Sequence, residues 1–275
     1  MRPYPLCKVC AVLRISAFCT AFVGERPIGY ASNGEAHDFW ESVFILEGKA
    51  AVTAGESVYL LMEGQMIFHP PMEFHRLANA GEVPLKCLII SFAAEAFPIR
   101  EHRICAFPSA SSICSRVKEL RESFVTDGVI LREPAEGVSP SSIQYTVNRL
   151  ENYYLSLLEE QSRLPIEEVK NAELYSVAVS VMHSHLGERL SSREIAARCG
   201  MSVSTMQKLF VRYAGIGMMK YYNNLRMQHA RQLLEKGSAV KEVAVLLGFE
   251  DQNYFSTAFR HHFGFPPSSA RSEFS

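Results

Sequence analysis

The sequence predicts two unlike domains: an N-terminal β-barrel trailed by two helices, and a C-terminal all-α domain with two helix-turn-helix motifs. Three observations carry that prediction. Between about residues 9 and 92, short apolar runs are separated by glycine-containing turns roughly every 8 to 12 residues, the spacing of an all-β sandwich or barrel. From about residue 110 the apolar positions step by three and four, the period of helices. Near the C-terminus one pattern is written twice. Ile195-Ala196-Ala197-Arg198-Cys199-Gly200 leads through a helical run to Leu209-Phe210 and Gly215, and Val243-Ala244-Val245-Leu246-Leu247-Gly248 leads to Ala258-Phe259 and Gly264. Gly200 and Gly248 lie 48 positions apart and Phe210 and Phe259 lie 49 apart, so the copies are in near register. Each reads as helix, glycine turn, helix, with a small alanine (Ala196, Ala244) where two helices cross closely.

A chain of 275 residues is long enough for two domains, each burying its own core. With 48% apolar and 21% charged residues it has the composition of a globular protein, which excludes a disordered or fibrous chain. The formal charge of −1 hides an asymmetry: residues 171–275 hold 12 Lys/Arg against 8 Asp/Glu, and the rest 16 against 21. A mildly basic C-terminal half suits an anionic partner. Seven scattered cysteines, an odd number, point to free thiols in a reducing cytoplasm. Cys7 and Cys10 form a CxxC, but no second pair follows at zinc-site spacing, so buried thiols are expected there. Met1 to Val23 is apolar but interrupted by Lys8 and Arg14, and reads as an arm and first strand rather than a leader or membrane span.

In chain order, the strand signals are Ser42–Leu46, Ala50–Thr53, Ser57–Leu61, Met66–Phe68 and Leu85–Phe92, with turns at Glu47-Gly48, Ala54-Gly55 and Glu63-Gly64. Within this segment His37, Glu41 and Gly48, then Gly64, Pro70, His75 and Asn79, carry a resemblance to the two signature segments of the cupin barrel. Glu35 stands where that pattern has its first histidine, and Met72 replaces a glycine. In metal cupins the matching positions, here Glu35, His37, Glu41 and His75, converge as ligands. His37-Asp38-Phe39-Trp40-Glu41 and Pro70–His75 also resemble the sensor domain of AraC-type regulators, which usually lacks metal. The expectation is an effector pocket at Glu35, His37, Trp40, Glu41 and His75, with no metal and no cofactor. Phe39, Phe44 and Phe68 are further candidates, and strand alternation leaves open which of the aromatics face inward.

Beyond the barrel, Ile113, Val117, Leu120 and Phe124 make one apolar stripe and Ile143, Val147, Leu150, Tyr154 and Leu157 another, predicting helices over about 110–125 and 141–160. Such stripes pack on their own domain or form a dimer seam, and the seam is favoured. The predicted domains are 1–162 (barrel about 9–92 plus helices), a linker at 163–170 and a helical domain at 171–275. Ser191 to Glu194 is a capping box opening a helix. Met219 to Lys236 forms a helix about 27 Å long, enough to hold two reading helices near successive major grooves, which recur every ~34 Å.

The reading helices are predicted at Val203–Tyr213 and Gln252–His262. With Met206, Leu209 and Phe210 inward, the first leaves Ser204, Thr205, Gln207, Lys208 and Arg212 outside. With Tyr254, Phe255 and Phe259 inward, the second leaves Gln252, Asn253, Ser256, Thr257 and Arg260. Amide and hydroxyl side chains suit base edges, and Lys and Arg suit guanine or phosphate. Gly248–Phe259, then Phe263-Gly264-Phe265-Pro266-Pro267, with Leu225-Arg226-Met227 before them, resemble the AraC/XylS DNA-binding domain over about 177–274. Thr257-Ala258 and Ala270-Arg271 depart from that pattern. The resemblance implies a cytoplasmic, effector-controlled transcription activator that binds double-stranded DNA, contacts RNA polymerase and forms a homodimer, with a sugar among the candidate effectors. No membrane and no enzymatic activity are expected; the alternative is a metal-dependent cupin enzyme fused to a DNA-binding module.

Overall fold

The computed structural model describes residues 10–160, 167–169 and 172–271; Cys7, most of the N-terminal arm and most of the linker lie outside the described residues. Eight strands follow one another first: β1 (Arg14–Arg26), β2 (Trp40–Glu47), β3 (Lys49–Ala54), β4 (Ser57–Met62), β5 (Gln65–His69), β6 (His75–Asn79), β7 (Leu85–Ala96) and β8 (Arg103–Ala106). Helix α1 (Ala110–Glu122), the hairpin β9 (Phe124–Asp127) and β10 (Ile130–Pro134), helix α2 (Pro140–Glu159) and a short β11 (Glu167–Glu168) complete the N-terminal half.

Two sheets face each other, one ordered β8-β5-β2-β7-β1-β10-β9 and the other β11-β4-β3-β6. The alternation of strand side chains builds two separate cores. Val43 and Ile45 of β2, Ile67 of β5 and Cys87 of β7 point between the sheets, to meet Ala50, Val52 and Leu61. Trp40, Phe44, Phe68, Ile90 and Phe92 point to the other face, against Ile113, Val117 and Leu120 of α1 and Val147, Leu150, Tyr154 and Leu157 of α2. Both predicted helical stripes are thus spent on their own domain. Ser109 and Ser139 cap the two helices, each accepting a backbone N–H from the first turn.

The hairpin β9–β10 interrupts what the sequence suggests is helix and turn. Its Thr126-Asp127-Gly128-Val129 centre is a hairpin signal, and it extends the large sheet by pairing with β1 at Thr20 and Ile130. Part of the expected linker is likewise strand: β11 pairs with β4 through Glu167 and Leu60.

The C-terminal half is helical: α3 (Glu173–Ser184), α4 (Ser192–Arg198), α5 (Val203–Tyr213), α6 (Met218–Glu235), α7 (Val240–Leu246), α8 (Gln252–Phe263) and a closing 3-10 turn (Pro267–Arg271). Gly200 and Gly248, which end α4 and α7, have φ of +65° and +66°, the left-handed turn the repeated pattern predicts. The two motifs pack into different cores. Ile195, Ala196, Met206 and Phe210 pack with α3 and the first part of α6. Val243, Ala244, Phe255 and Phe259 pack with Met227, Ala230 and Leu234 at its far end.

Candidate functional sites

The first candidate is a polar cluster inside the barrel. Glu41 on β2, His69 on β5 and Ser91 on β7 are brought side by side because Glu41 pairs with both His69 and Ser91 in the sheet register. His75, at the start of β6, closes the cluster from the opposite sheet, and Glu35 reaches it through a two-way backbone pairing, Glu35 N–H to His75 O (3.0 Å) and His75 N–H to Glu35 O (2.9 Å). Glu41 Oε2 accepts from Ser91 Oγ at 3.1 Å and lies 3.8 Å from His37 Nε2, while Glu41 Oε1 lies 3.4 Å from His75 Nε2.

Both imidazoles are oriented by carbonyls. His37 Nδ1 donates to Phe39 O and His75 Nδ1 to Glu73 O, each at 3.0 Å. Their Nε2 atoms are buried and make no hydrogen bond, so two ring nitrogens and a carboxylate turn toward one point, with ligand atoms within 4.8 Å of one another. Two imidazoles and a carboxylate with tautomers fixed by carbonyl acceptors form a donor set that fits a divalent transition-metal ion. The fold family's metal position and these residues are therefore compatible.

The electrostatics are strongly coupled. Burial and the neighbouring His75 charge lower His37 to about 4. Burial alone would raise Glu41, but His75 beside it, with His69 and His37 behind it, pulls it down to about 2. Burial opposes protonation of His75, yet Glu41 beside it carries its pKa above the ordinary value. Burial raises Glu35. An internal carboxylate among imidazoles, stabilised as the anion, can hold a cation or hydrogen-bond hydroxyl donors.

Of the five residues expected in the pocket, the structure brings together the side chains of His37, Glu41 and His75, with the exposed Glu35 held beside them by its backbone pairing to His75. Trp40 is a correction. It faces the opposite side of β2 from Glu41, buried and stacked on Phe97 at 4.3 Å, because adjacent strand residues point to opposite faces. Phe44 and Phe68 lie on that same far face, whereas Phe39 stacks on His37 at 3.7 Å. Sequence reasoning missed His69, Glu73, His102 and Ser91. Glu73 accepts from His69 Nδ1 and His102 Nδ1, both at 2.7 Å, and His102 Nε2 lies 2.9 Å from the Tyr59 hydroxyl. His69 stacks on His75 at 4.4 Å, so the second group continues the first.

The second candidate is the outer face of the two reading helices. On α5, Ser204, Thr205, Gln207, Lys208 and Arg212 are exposed, while Met206 and Phe210 are buried. On α8, Gln252, Asn253, Thr257 and Arg260 are exposed and Ser256 is half-buried. Thr205 is partly engaged by its own cap, its hydroxyl 2.9 Å from Ser202 Oγ, and Thr257 donates to Asn253 O at 2.9 Å. Tyr254, expected inward, is 60% exposed, since Phe255 and Phe259 fill the inner face and the ring sits beside Phe249 instead.

A cupin-like barrel holding a polar cluster is joined to two helix-turn-helix units with polar and basic outer faces. Comparison with known proteins agrees: residues 195–273 match the helix-turn-helix domain and residues 26–91 the cupin domain. The chain is 25% identical over 249 residues to the Msm operon regulatory protein of Streptococcus mutans, covering 89% of this chain and 88% of that one. It is 32% identical over 140 residues to the HTH-type transcriptional activator RhaS of Escherichia fergusonii, covering 50% of each. An AraC-type DNA-binding domain from Chromobacterium violaceum is 33% identical, covering 37% of this chain and 91% of that chain, with a TM-score of 0.35. Several other relatives are matched over only about a third of their length, 31% and 32% in two cases. The chain thus carries a cupin domain and a helix-turn-helix domain, and along most of its length it is similar to an operon regulatory protein. Among the described residues no helix is long and apolar enough to cross a membrane.

Proposed function

We propose that this chain is a cytoplasmic, sequence-specific transcription regulator, an activator acting as a homodimer, whose barrel cluster binds a small-molecule effector. Residues 1–162 form the sensing half, 163–170 the linker and 171–275 the DNA-reading half. The observation that carries the reading is the pair of helix-turn-helix units on one long helix, each with its apolar side buried and a Gln-, Asn-, Ser- and Thr-rich side exposed. Gln207 and Lys208 on α5 and Gln252 and Asn253 on α8 face base edges; Arg212 and Arg260 face phosphate. RhaS being named a transcriptional activator supports activation, and contact with RNA polymerase is proposed along with it. The effector is a polar, hydroxyl-bearing molecule such as a sugar, since Glu41, His37, His75 and Ser91 offer donors and acceptors around one point, with Glu35 beside them. No enzymatic activity is assigned.

The test is selection of bound fragments from a genomic DNA library with the full chain, over a salt series. A recovered sequence motif with two blocks about one helical turn apart supports the reading. Binding equal for all fragments and abolished by modest salt would refute it, as phosphate attraction alone. A second reading rests on the two buried, unbonded Nε2 atoms: the triad His37, Glu41 and His75 holds a divalent cation, as in a cupin enzyme fused to a DNA-binding module. Stoichiometric metal in the purified chain, lost in His75→Ala, supports it, and metal-free protein that still answers an effector dismisses it.

A further inference from the structure

The barrel and the first helix-turn-helix unit share a core. Phe74 and Val58 of the barrel are buried with Tyr175, Phe210, Tyr213 and Tyr221, and the Phe74 ring stands edge-on to Tyr221 at 4.7 Å. Polar contacts surround it. Thr53 Oγ1 donates to Tyr213 O at 2.5 Å, Gly34 N to Ala214 O at 3.2 Å and Ser176 Oγ to Glu56 O at 2.6 Å, while Arg76 Nη1 donates to Arg212 O. Farther along α6, Arg231 Nη2 bonds Asp38 Oδ2 at 3.1 Å.

Three of these contacts are made by residues adjacent to members of the barrel cluster. Phe74 precedes His75, Gly34 precedes Glu35 and Asp38 follows His37. We propose that these three neighbouring pairs, His75/Phe74, Glu35/Gly34 and His37/Asp38, are the coupling device: occupancy of the cluster is transmitted to the DNA-reading domain through them. The proposal rests on the cluster being the effector site.

The geometry gives the His75/Phe74 pair its reason. In an extended segment, successive side chains point to opposite faces, so a residue that faces the barrel interior fixes a neighbour that faces outward. His75 on the cluster side therefore sets Phe74 in the neighbouring core. Glu35 is held to His75 by the two backbone bonds, so the segments carrying Phe74 and Gly34 move as one. Gly34 has no room for a side chain: a Cβ there would collide with the Phe74 ring and with Ala214 O. Tight packing makes such a junction bistable rather than compliant.

Asp38 extends the effect to the second motif. Arg231, buried on α6, also bonds Glu235 at 2.7 Å and lies over the rings of Phe263 (5.6 Å) and Phe265 (5.8 Å) at the end of the second unit. Phe74 thus grips the first unit, while Asp38 reaches the base of the second through one guanidinium. A shift of His37 and His75 relative to each other changes the angle between the two reading helices and hence their fit to successive grooves.

The test is amide hydrogen exchange on the full-length chain, read by mass spectrometry over residues 212–231. Glu41→Gln serves as the perturbation, because it alters the cluster with almost no change of volume. In the otherwise unchanged chain it should change exchange in that segment by about fivefold or more, the lower end of typical coupling between sites. In a Phe74→Leu, Asp38→Asn background the same substitution should change it by no more than about twofold, the tolerance for independent sites. Should Phe74→Leu fail to fold, Asp38→Asn alone, at a side chain 55% exposed, must still diminish the response. A response undiminished in these backgrounds, or none in the unchanged chain, overturns the proposal. The readout requires no DNA, so a failed DNA selection would refute the regulator while leaving this result intact.

Discussion

The two helix-turn-helix units are near copies in sequence, yet the molecule treats them differently. The first is built into a core that continues into the barrel, through Phe74 and Val58. The second has a core of its own, closed by the 3-10 turn at Ala270 and by the aromatic stack Phe255, Phe259, Phe263 and Phe265. Helix α6 belongs to both, and Arg231 is where the barrel meets the second. The same helix-turn-helix geometry can therefore be joined to a neighbouring domain through a shared apolar core or through a single ion pair. The first unit shares a core with the barrel, whereas the second meets the barrel through the Arg231–Asp38 pair.

The comparison can be broken most severely in the cores. Phe74→Ala should cost about 3–5 kcal/mol and loosen the barrel and the first unit together. Phe259→Ala, of similar cost, should loosen only the second. Denaturant unfolding gives the totals and amide exchange the location; protection lost equally in both units in either variant would contradict the division. The turns sharpen the contrast. Gly200→Ala meets open space and pays only the left-handed strain, ~1–2 kcal/mol. Gly248→Ala adds a collision with Gly187 O, 2.7 Å from the new Cβ, so its melting temperature should fall further.

At the DNA face, Gln207→Ala and Gln252→Ala should each weaken specific binding by roughly 1–3 kcal/mol and leave non-specific binding and melting temperature unchanged. Fluorescence anisotropy with matched and scrambled duplexes checks both. The smallest effects lie in the caps. α4 has a complete capping box, Ser191 Oγ accepting from Glu194 N–H and the Glu194 carboxylate from Ser191 N–H. α7 opens on Ala239, where only Glu242 reaches back, at 3.0 Å. Ser191→Ala should lose about 1 kcal/mol and Ala239→Ser should gain up to about the same, both read by thermal unfolding.

The helical half was legible because a repeat reveals itself: one pattern at two places predicts turn glycines, buried alanines and the bounds of α5, all of which the structure has. Tyr254 escaped because an aromatic on an amphipathic helix reads as core, and only the completed packing of Phe249, Phe255 and Phe259 shows that no inner place remains. In the barrel, spacing along the chain located Glu35, His37, Glu41 and His75. It could not locate His69 or Ser91, which become neighbours of Glu41 only through strand register across β5 and β7. Trp40 was misread for the same cause, since spacing marks a segment and alternation decides the face. The β9–β10 hairpin did have a local signal in Asp127-Gly128, overshadowed by the helical stripes on both sides.

The central claim is that two unlike reading helices on one long helix each read their own block of a single DNA site. The direct measurement is binding-site selection from randomised duplexes with the unaltered chain, Gln207→Ala and Gln252→Ala in parallel. Two blocks about one helical turn apart are predicted, with each substitution relaxing base preference in one block and sparing the other. Substitutions that relaxed both blocks alike, or selected sequences with a single block, would contradict it.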